Sequence, residues 1–116
     1  MKFKLIMALV EDSHTENVIE AAREAGATGA TVVTSARGEG LTPKKSFLGL
    51  TLSGHRDVVI FIVEGHLSRT ILETIAKAGH FYDKPGTGIA FQIDAEDAVG
   101  LESQIPTLSS EIEDQI

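Results

Sequence analysis

Residues 56–65, RDVVIFIVEG, are the strongest indication of the architecture of this chain, because six consecutive apolar residues, 58–63, lie between charged neighbours. An apolar run of this length is typical of a β-strand that is buried on both faces. A chain of 116 residues forms a single core, with helices on one face of its sheet. The run therefore predicts a strand whose second face is buried by another subunit.

A strand and a helix are predicted before this run. The odd-numbered residues over 3–9 are all apolar, which is the period-two pattern of a strand with one firmly buried face. Ser13-His14-Thr15-Glu16 matches the S-x-x-E capping box, so a helix is expected to begin there. The helix is expected to end at about Ala25, where Gly26 provides a stop.

The remaining elements complete a recognisable order. β-Branched residues predict a second strand at about 29–36, and an apolar stripe predicts a second helix from 65 or 66 to about 78, with His66 as a candidate cap. The glycine-rich segment 37–55 is predicted to be a loop, and residues 88–93 the last strand. The order βαββαβ predicts a ferredoxin-like α+β fold, in which two helices cover one face of a four-stranded antiparallel sheet.

The charge of the chain is concentrated near its C-terminal end. The formal net charge is −7, and residues 94–116 contain seven acidic residues and no basic one. A phosphate backbone would repel this segment, so nucleic acid is not expected as a partner. We predict a folded domain over residues 1–101 and an acidic tail over 102–116.

Two absences exclude further classes of protein. The chain has no cysteine, which excludes disulfides, thiolate catalysis and Cys-based metal sites. No apolar run reaches the length of a membrane span, and residues 1–10 contain Lys2 and Lys4 and lead directly into a polar segment. These features predict a cytoplasmic protein.

Two glycine-rich turns are candidate functional sites, Gly38-Glu39-Gly40 and Gly86-Thr87-Gly88. Glycine permits positive φ and a close approach to the backbone, so such turns can present N–H groups to a phosphate. A single GxG is also ordinary turn chemistry. Residues 37–56 contain four basic residues and one acidic residue, so this loop faces an anion or a partner, or is simply solvated.

Residues 3–101 resemble the PII signal-transduction proteins, the nitrogen regulatory P-II family. The segment 26–32 is similar to the family's glycine and threonine turn into its second strand, and 37–55 lies where the family has its T-loop. Pro85-Gly86-Thr87-Gly88-Ile89 resembles the B-loop that cradles nucleotide phosphates. The resemblance implies a homotrimer that binds an adenine nucleotide in the clefts between subunits. It also implies that the T-loop controls a membrane transporter or another membrane protein.

The resemblance assigns roles to individual residues. It implies that Thr31 contacts the adenine and that Arg56 is the remaining cation at the phosphates. The glycine turns supply the other effector-binding positions, with hinges at Gly38 and Gly40 and phosphate-facing donors at Gly86, Thr87 and Gly88. Contacts with the partner are expected in the long loop, at Lys44, Lys45, Phe47 and Leu48.

Three positions depart from the family pattern. Where the family has one lysine and two arginines at the phosphates, this chain has Ile89, Gly100 and Glu102. Charge-assisted hydrogen bonds to a phosphate contribute about 1.5–3 kcal/mol each, so ATP in the usual pose loses affinity. The loop 37–55 is shorter than in the family and has neither tyrosine nor glutamine. We expect a divergent PII-like regulator whose effector is AMP, ADP, ATP or cyclic AMP, with no covalently bound cofactor.

Two other classes of function are open. A cation-binding or tolerance protein of related fold could use His55, His66 and His80 with nearby carboxylates such as Glu64 and Asp83, although their spacing matches no known metal motif. A small enzyme could use the pair Glu64 and His66, but no nucleophile lies beside them. We therefore expect a protein that is not an enzyme and has no metal site.

Overall fold

The computed structural model describes residues 2–36, 46–47, 50–51, 56–84 and 86–100. A short 3-10 turn, Asp12–His14, precedes the first helix. The helices and strands of the described part are β1 (Phe3–Glu11), α1 (Thr15–Glu24), β2 (Thr31–Ala36), β3 (Ser46–Phe47), β4 (Leu50–Thr51), β5 (Arg56–Glu64), α2 (Gly65–Ala78) and β6 (Gly88–Ala95).

Four strands form one antiparallel sheet in the order β2-β5-β1-β6. The apolar strand β5 lies inside the sheet and pairs with β1 over the full length of both strands. The pairing runs from Phe3 opposite Glu64 to Glu11 opposite Arg56. With α1 and α2 packed on one face, this arrangement confirms the predicted ferredoxin-like fold.

The hydrophobic core lies between the two helices and one face of the sheet. It is a single cluster of apolar side chains at most 2% exposed, together with Ala27 at 4%: Ile6, Ala8, Val10, Val18, Ala22, Val59, Phe61, Val63, Ile71 and Ile75. In β1 the buried residues are Ile6, Ala8 and Val10, whereas residues 3, 5, 7 and 9 are half-buried on the opposite face. The prediction of their firm burial was wrong, because β1 is apolar on both faces and alternation alone did not identify the face that the helices cover.

The second face of the sheet is also apolar. It joins the odd-numbered residues of β1 to Ile60 and Ile62 of β5 and to Phe91 and Ile93 of β6. Phe91 is 38% exposed and Ile93 is 52% exposed, and no element in the described ranges covers this face. A continuous apolar surface of this kind is typical of an interface between subunits.

The first helix begins differently from the prediction. α1 starts at Thr15, directly after the 3-10 turn, and no side chain caps it, so the capping box of Ser13 and Glu16 does not form. Thr15 is instead buried, and its hydroxyl donates a hydrogen bond to Asp57 Oδ2 at 2.7 Å.

The second helix is capped by a carboxylate. Glu64 Oε2 accepts a hydrogen bond from the backbone N–H of His66 at 2.6 Å, and Glu64 is 3% exposed. The prediction that His66 itself is the cap was wrong, since its side chain is 88% exposed. A carboxylate at this position is favourable because it faces the positive end of the helix dipole.

The predicted boundaries hold to within two residues. Gly26 has a φ of 119° and follows α1, as expected of a helix stop. β2 begins two residues later than predicted, and β6 ends two residues later. Inside the predicted loop, β3 and β4 pair as a small hairpin, whose two-residue strands are too short to give a periodic signal.

The acidic tail 102–116 lies outside the described residues, so the division at residue 101 stays a prediction. Neither helix in the described part of the chain is long and apolar enough to cross a membrane.

Candidate functional site

The glycine turn at residues 86–88 connects the end of the helical layer to β6. Gly86 has a φ of 84°, a conformation that glycine adopts without strain. A Cβ atom on Gly88 would lie 2.3 Å from Phe81 Cε1 and 2.5 Å from the backbone oxygen of Leu9. The fold alone therefore requires glycine at both positions, whatever ligand the turn binds.

Thr87 anchors this turn to the segment after α2. It is 8% exposed, and its hydroxyl donates to the backbone oxygen of His80 at 3.0 Å. Its backbone N–H donates to the oxygen of Lys84 at 3.2 Å. Both donors of Thr87 are thus used inside the chain, and a phosphate would have to displace these carbonyls to reach them.

Arg56 holds the turn from the other side. This residue begins β5 and is 5% exposed. Its Nη1 atom donates to the oxygen of Thr87 and its Nη2 atom to the oxygen of Gly86, each at 3.2 Å. The guanidinium group therefore binds both carbonyls of the turn, and its role as a phosphate contact stays a prediction.

Glu11 is a site residue that the sequence analysis missed. Its Oε1 atom lies 3.2 Å from Nη1 of Arg56 and supplies the counter-charge for the buried guanidinium. The two residues are directly opposite each other at the ends of β1 and β5. The sequence did contain a signal for this pair, because the acidic Glu11 ends the apolar strand β1 and the basic Arg56 begins the apolar strand β5. Opposite charges stabilise cross-strand pairs.

Thr31 lies far from the glycine turn within one chain. It is exposed at the start of β2, opposite Ile60, on the apolar face of the sheet. β2 and β6 are the two edges of this sheet, separated by β5 and β1. Three strand spacings of about 4.8 Å separate the edges by about 14 Å. The fold therefore brings Arg56 together with Gly86 and Thr87, but not with Thr31.

Two of the positions that lack the family's cations are described. Ile89 is half-buried on the apolar face, opposite Leu9 of β1. Gly100 is exposed with a φ of 89°, and Glu102 lies outside the described residues. Neither described position offers a positive charge to a phosphate.

The predicted loop residues are mostly beyond what the structure describes. Only the backbone of Phe47 is described, in β3. The positions outside the described residues are Gly38, Gly40, Lys44, Lys45 and Leu48.

The histidines considered for a metal site lie in separate imidazole–carboxylate pairs. His66 Nδ1 is 2.8 Å from Glu64 Oε1, and His80 Nδ1 is 3.2 Å from Asp83 Oδ2. The hydrogen bond from His80 lowers the pKa of the Asp83 carboxyl below its usual value. His55 lies outside the described residues, and among those described no three His, Asp or Glu side chains form a metal-binding group.

The chain is a small ferredoxin-like protein whose glycine turn is fixed by contacts with Arg56 and His80. The sequence profile of a family described as nitrogen regulatory protein P-II matches residues 3–104. The chain therefore belongs to the P-II family, which confirms the resemblance seen in the sequence. No curated protein gives a significant match to the chain.

Solved structures with the same fold include three from this group. A PII-like signalling protein of Thermus thermophilus is 22% identical, with a TM-score of 0.60 over 82% of this chain and 87% of that one. CPII of Thiomonas intermedia, a nitrogen regulatory PII-like protein, is 20% identical in its apo form, with a TM-score of 0.61 over 81% and 89%. The same CPII bound to ADP, AMP and acetate is also 20% identical, with a TM-score of 0.59 over 83% of this chain and 90% of that one. At these identities the similarity shows the fold.

Proposed function

We propose that this chain is a trimeric PII-like signalling regulator that binds an adenine nucleotide between its subunits and catalyses no reaction. In this proposal it acts in the cytoplasm and controls a membrane transporter or another membrane protein through residues 37–55. Membership of the P-II family supports the proposal, because proteins of this family are regulatory trimers that bind small-molecule effectors. The ADP and AMP bound to CPII support an adenine nucleotide as the effector.

The main support for the proposal is that contacts within the chain fix the conformation of the glycine turn. Arg56 binds the carbonyls of Gly86 and Thr87, and the Thr87 side chain fixes the turn to His80. A preorganised turn loses little conformational entropy when a ligand binds. Because the C=O and N–H of a trans peptide point in opposite directions, the bond from Arg56 to the Thr87 oxygen turns the N–H of Gly88 away from the guanidinium group. We place the phosphate on that side of the turn.

The sheet order favours a site shared between subunits. Thr31 and the glycine turn lie at opposite edges of the sheet, with the apolar face between them. A nucleotide bound to both positions of one chain would have to cross that apolar face. If neighbouring subunits cover the face, the Thr31 edge of one subunit can meet the glycine turn of the next, with adenine and phosphate at the two sides of one cleft.

The charge of the site favours nucleotides with fewer phosphates. Arg56 is already bound to Glu11 and to the turn, and Ile89 and Gly100 carry no charge. Each missing charge-assisted bond removes about 1.5–3 kcal/mol of phosphate binding. We therefore assign AMP, ADP or cyclic AMP as the preferred effector over ATP.

Arg56 also connects the effector site to the long loop. It is the first residue after segment 37–55 and it binds the glycine turn directly. A nucleotide that contacts the turn and the hinge glycines Gly38 and Gly40 can therefore bias the arrangement of the loop, as in other ligand-gated loops. Partner contacts are assigned to four residues of this loop: Lys44, Lys45, Phe47 and Leu48.

The test is a calorimetric titration of the purified chain with ATP, ADP, AMP and cyclic AMP, each with and without Mg²⁺, in native protein and in Ile89→Lys. Ile89 is the position where the family has its B-loop lysine. We expect native protein to prefer the less charged nucleotides. We expect Ile89→Lys to bind ATP about tenfold to a hundredfold more tightly, the equivalent of one charge-assisted bond.

Ile89→Met is the matched control, because it keeps an apolar side chain of similar volume and adds no charge. We expect it to leave every affinity unchanged. If no nucleotide binds native protein or Ile89→Lys, the glycine turn is purely structural and the proposed effector class is wrong. An equal gain in Ile89→Met would show that the effect of Ile89→Lys comes from packing and not from charge.

A further inference from the structure

His14 and His80 form a pair of imidazole rings that the fold brings together. His14 lies directly before α1, and His80 follows Gly79, the C-cap of α2. Their ring centroids are 5.1 Å apart and the ring planes are inclined by 54°. The His14 side chain is 16% exposed and the His80 side chain is 41% exposed, so the pair is open to solvent on one side.

A carboxylate lies beside the same atom of each ring. Glu11 Oε2 is 3.9 Å from Nδ1 of His14, and Asp83 Oδ2 is 3.2 Å from Nδ1 of His80. In metal sites, a carboxylate that binds one imidazole nitrogen fixes the tautomer and the orientation of the ring, and the other nitrogen binds the metal. Asp83 is within hydrogen-bond distance of Nδ1 of His80, which leaves Nε2 as the metal-binding atom of that ring. Nδ1 of His14 lies near Glu11 without a hydrogen bond, which leaves Nε2 as the candidate ligand atom of that ring as well.

The Nδ1 atom of His14 is buried and has no hydrogen-bond partner among the described residues. Leaving a buried polar atom unpaired costs stability. A cation on Nε2 would keep the proton on Nδ1, and a small rotation of the ring would then bring this N–H within hydrogen-bond distance of Glu11.

We propose that His14 and His80 bind one divalent transition-metal ion, with Zn²⁺ as the representative ion, through their Nε2 atoms. Two imidazoles bound to a tetrahedral Zn²⁺ at Zn–N distances of about 2.0–2.1 Å have ring centroids about 5 Å apart. The observed separation of 5.1 Å matches this value. Imidazole favours Zn²⁺, Cu²⁺ and Ni²⁺, whereas Mg²⁺ and Ca²⁺ prefer oxygen ligands.

The site has two protein ligands, and water completes the coordination. No third His, Asp or Glu of the described residues joins the pair in a metal-binding group. A site with two protein ligands binds more weakly than a closed four-ligand structural site and exchanges its ion readily. The site adjoins the glycine turn through Glu11, which contacts both His14 and Arg56. It does not depend on nucleotide binding, and it is tested without nucleotide.

The test is a calorimetric titration of the full chain, free of any affinity tag and treated with a chelator, with Zn²⁺ and separately with Mg²⁺. We expect saturable Zn²⁺ binding and none of Mg²⁺. The affinity for Zn²⁺ should fall by about tenfold or more in His14→Gln and in His80→Asn. Asparagine is used at position 80 because the φ of His80 is 61°, in the left-handed region that asparagine tolerates.

His66→Gln is the matched control. His66 also has a carboxylate at Nδ1, from Glu64, but its imidazole is 88% exposed and forms no ring pair with another described histidine. We expect this substitution to leave Zn²⁺ affinity unchanged. Melting curves of all variants without metal show whether they fold.

A spectroscopic readout separates ligation from a structural effect. With Cu²⁺ in place of Zn²⁺, the electron paramagnetic resonance spectrum should show coupling to two imidazole nitrogens in the native chain and to one in either His14→Gln or His80→Asn. The proposal is overturned if Zn²⁺ does not bind, if His66→Gln weakens binding as much as the other substitutions, or if native protein shows a single nitrogen.

Discussion

Replacing Arg56 with methionine distinguishes a residue that supports the glycine turn from one that binds phosphate. Methionine keeps an unbranched apolar chain but removes the guanidinium group, and with it the contacts to the glycine turn and to Glu11. Those contacts are the carbonyl oxygens of Gly86 and Thr87 and the carboxylate of Glu11, all at 3.2 Å. We expect Arg56→Met to destabilise the protein even when no nucleotide is present.

The magnitude follows from the exposure of the groups left behind. Hydrogen bonds from a charged donor contribute about 1.5–3 kcal/mol each, and they are not fully additive. The Glu11 side chain is 38% exposed and regains water, so the ion pair itself adds little. We expect a loss of about 2–4 kcal/mol in the free energy of unfolding, which lowers the melting temperature by roughly 10 °C or more.

The assay is thermal unfolding without nucleotide, with Arg69→Met as the matched control. Arg69 forms an exposed ion pair with Glu73 one turn along α2, and such a pair contributes about 0.3–0.5 kcal/mol. Arg56→Lys keeps the charge but cannot bind two carbonyls in the same fork, so we expect it to melt between Arg56→Met and native protein.

The opposite result would overturn this account of Arg56. If Arg56→Met unfolds at the same temperature as Arg69→Met, the guanidinium does not support the turn. If Arg56→Met also loses nucleotide affinity while keeping its stability, Arg56 is a direct phosphate contact, as the sequence resemblance implies.

Two further predictions concern single contacts. Gly88→Ala should lower the free energy of unfolding by about 1–3 kcal/mol or more, because its Cβ would meet the Leu9 backbone oxygen, which cannot move aside. Gly29→Ala has open space around its Cβ and should be close to neutral in urea unfolding. Equal effects of the two substitutions would contradict the packing argument. Tyr82, the only tyrosine of the chain, donates a hydrogen bond to Glu73, and this bond raises the pKa of the Tyr82 hydroxyl above 10.0. Phenolate absorbance of the native protein should therefore appear at a higher pH than that of Glu73→Gln. The raised pKa stabilises the folded chain below pH 10.0, and this contribution is lost as the pH rises through the folded pKa; coincident titrations in the two proteins would refute this interpretation.

The parts of the fold that the sequence revealed are those carried by local patterns. The apolar run 58–63 predicted the strand inside the sheet, and the helix boundaries followed from apolar stripes that end at Gly26 and Gly79. The start of α1 was not predictable, because Thr15 is buried against Asp57, a residue distant in the sequence. The covered face of β1 was not predictable either, since both of its faces are apolar.

Apart from Glu11, the residues of the candidate site were predictable from the sequence, but their contacts were not. The GxG pattern identified the turn, and the resemblance identified Arg56. That Arg56 faces the carbonyls of the turn depends on the register of β1 against β5, which places Glu11 opposite it. Likewise, the distance between Thr31 and the turn follows from the order of strands in the sheet, which no local pattern specifies.

The apolar second face of the sheet has a consequence for how this chain folds. An isolated subunit would expose Val33, Ile62, Phe91 and Ile93 to water, and so would gain only part of the hydrophobic free energy that its sequence can supply. If that face is buried only on assembly, folding and association are one equilibrium, and stability depends on protein concentration. The melting temperature should then rise as the solution becomes more concentrated, and dilution alone should destabilise the fold.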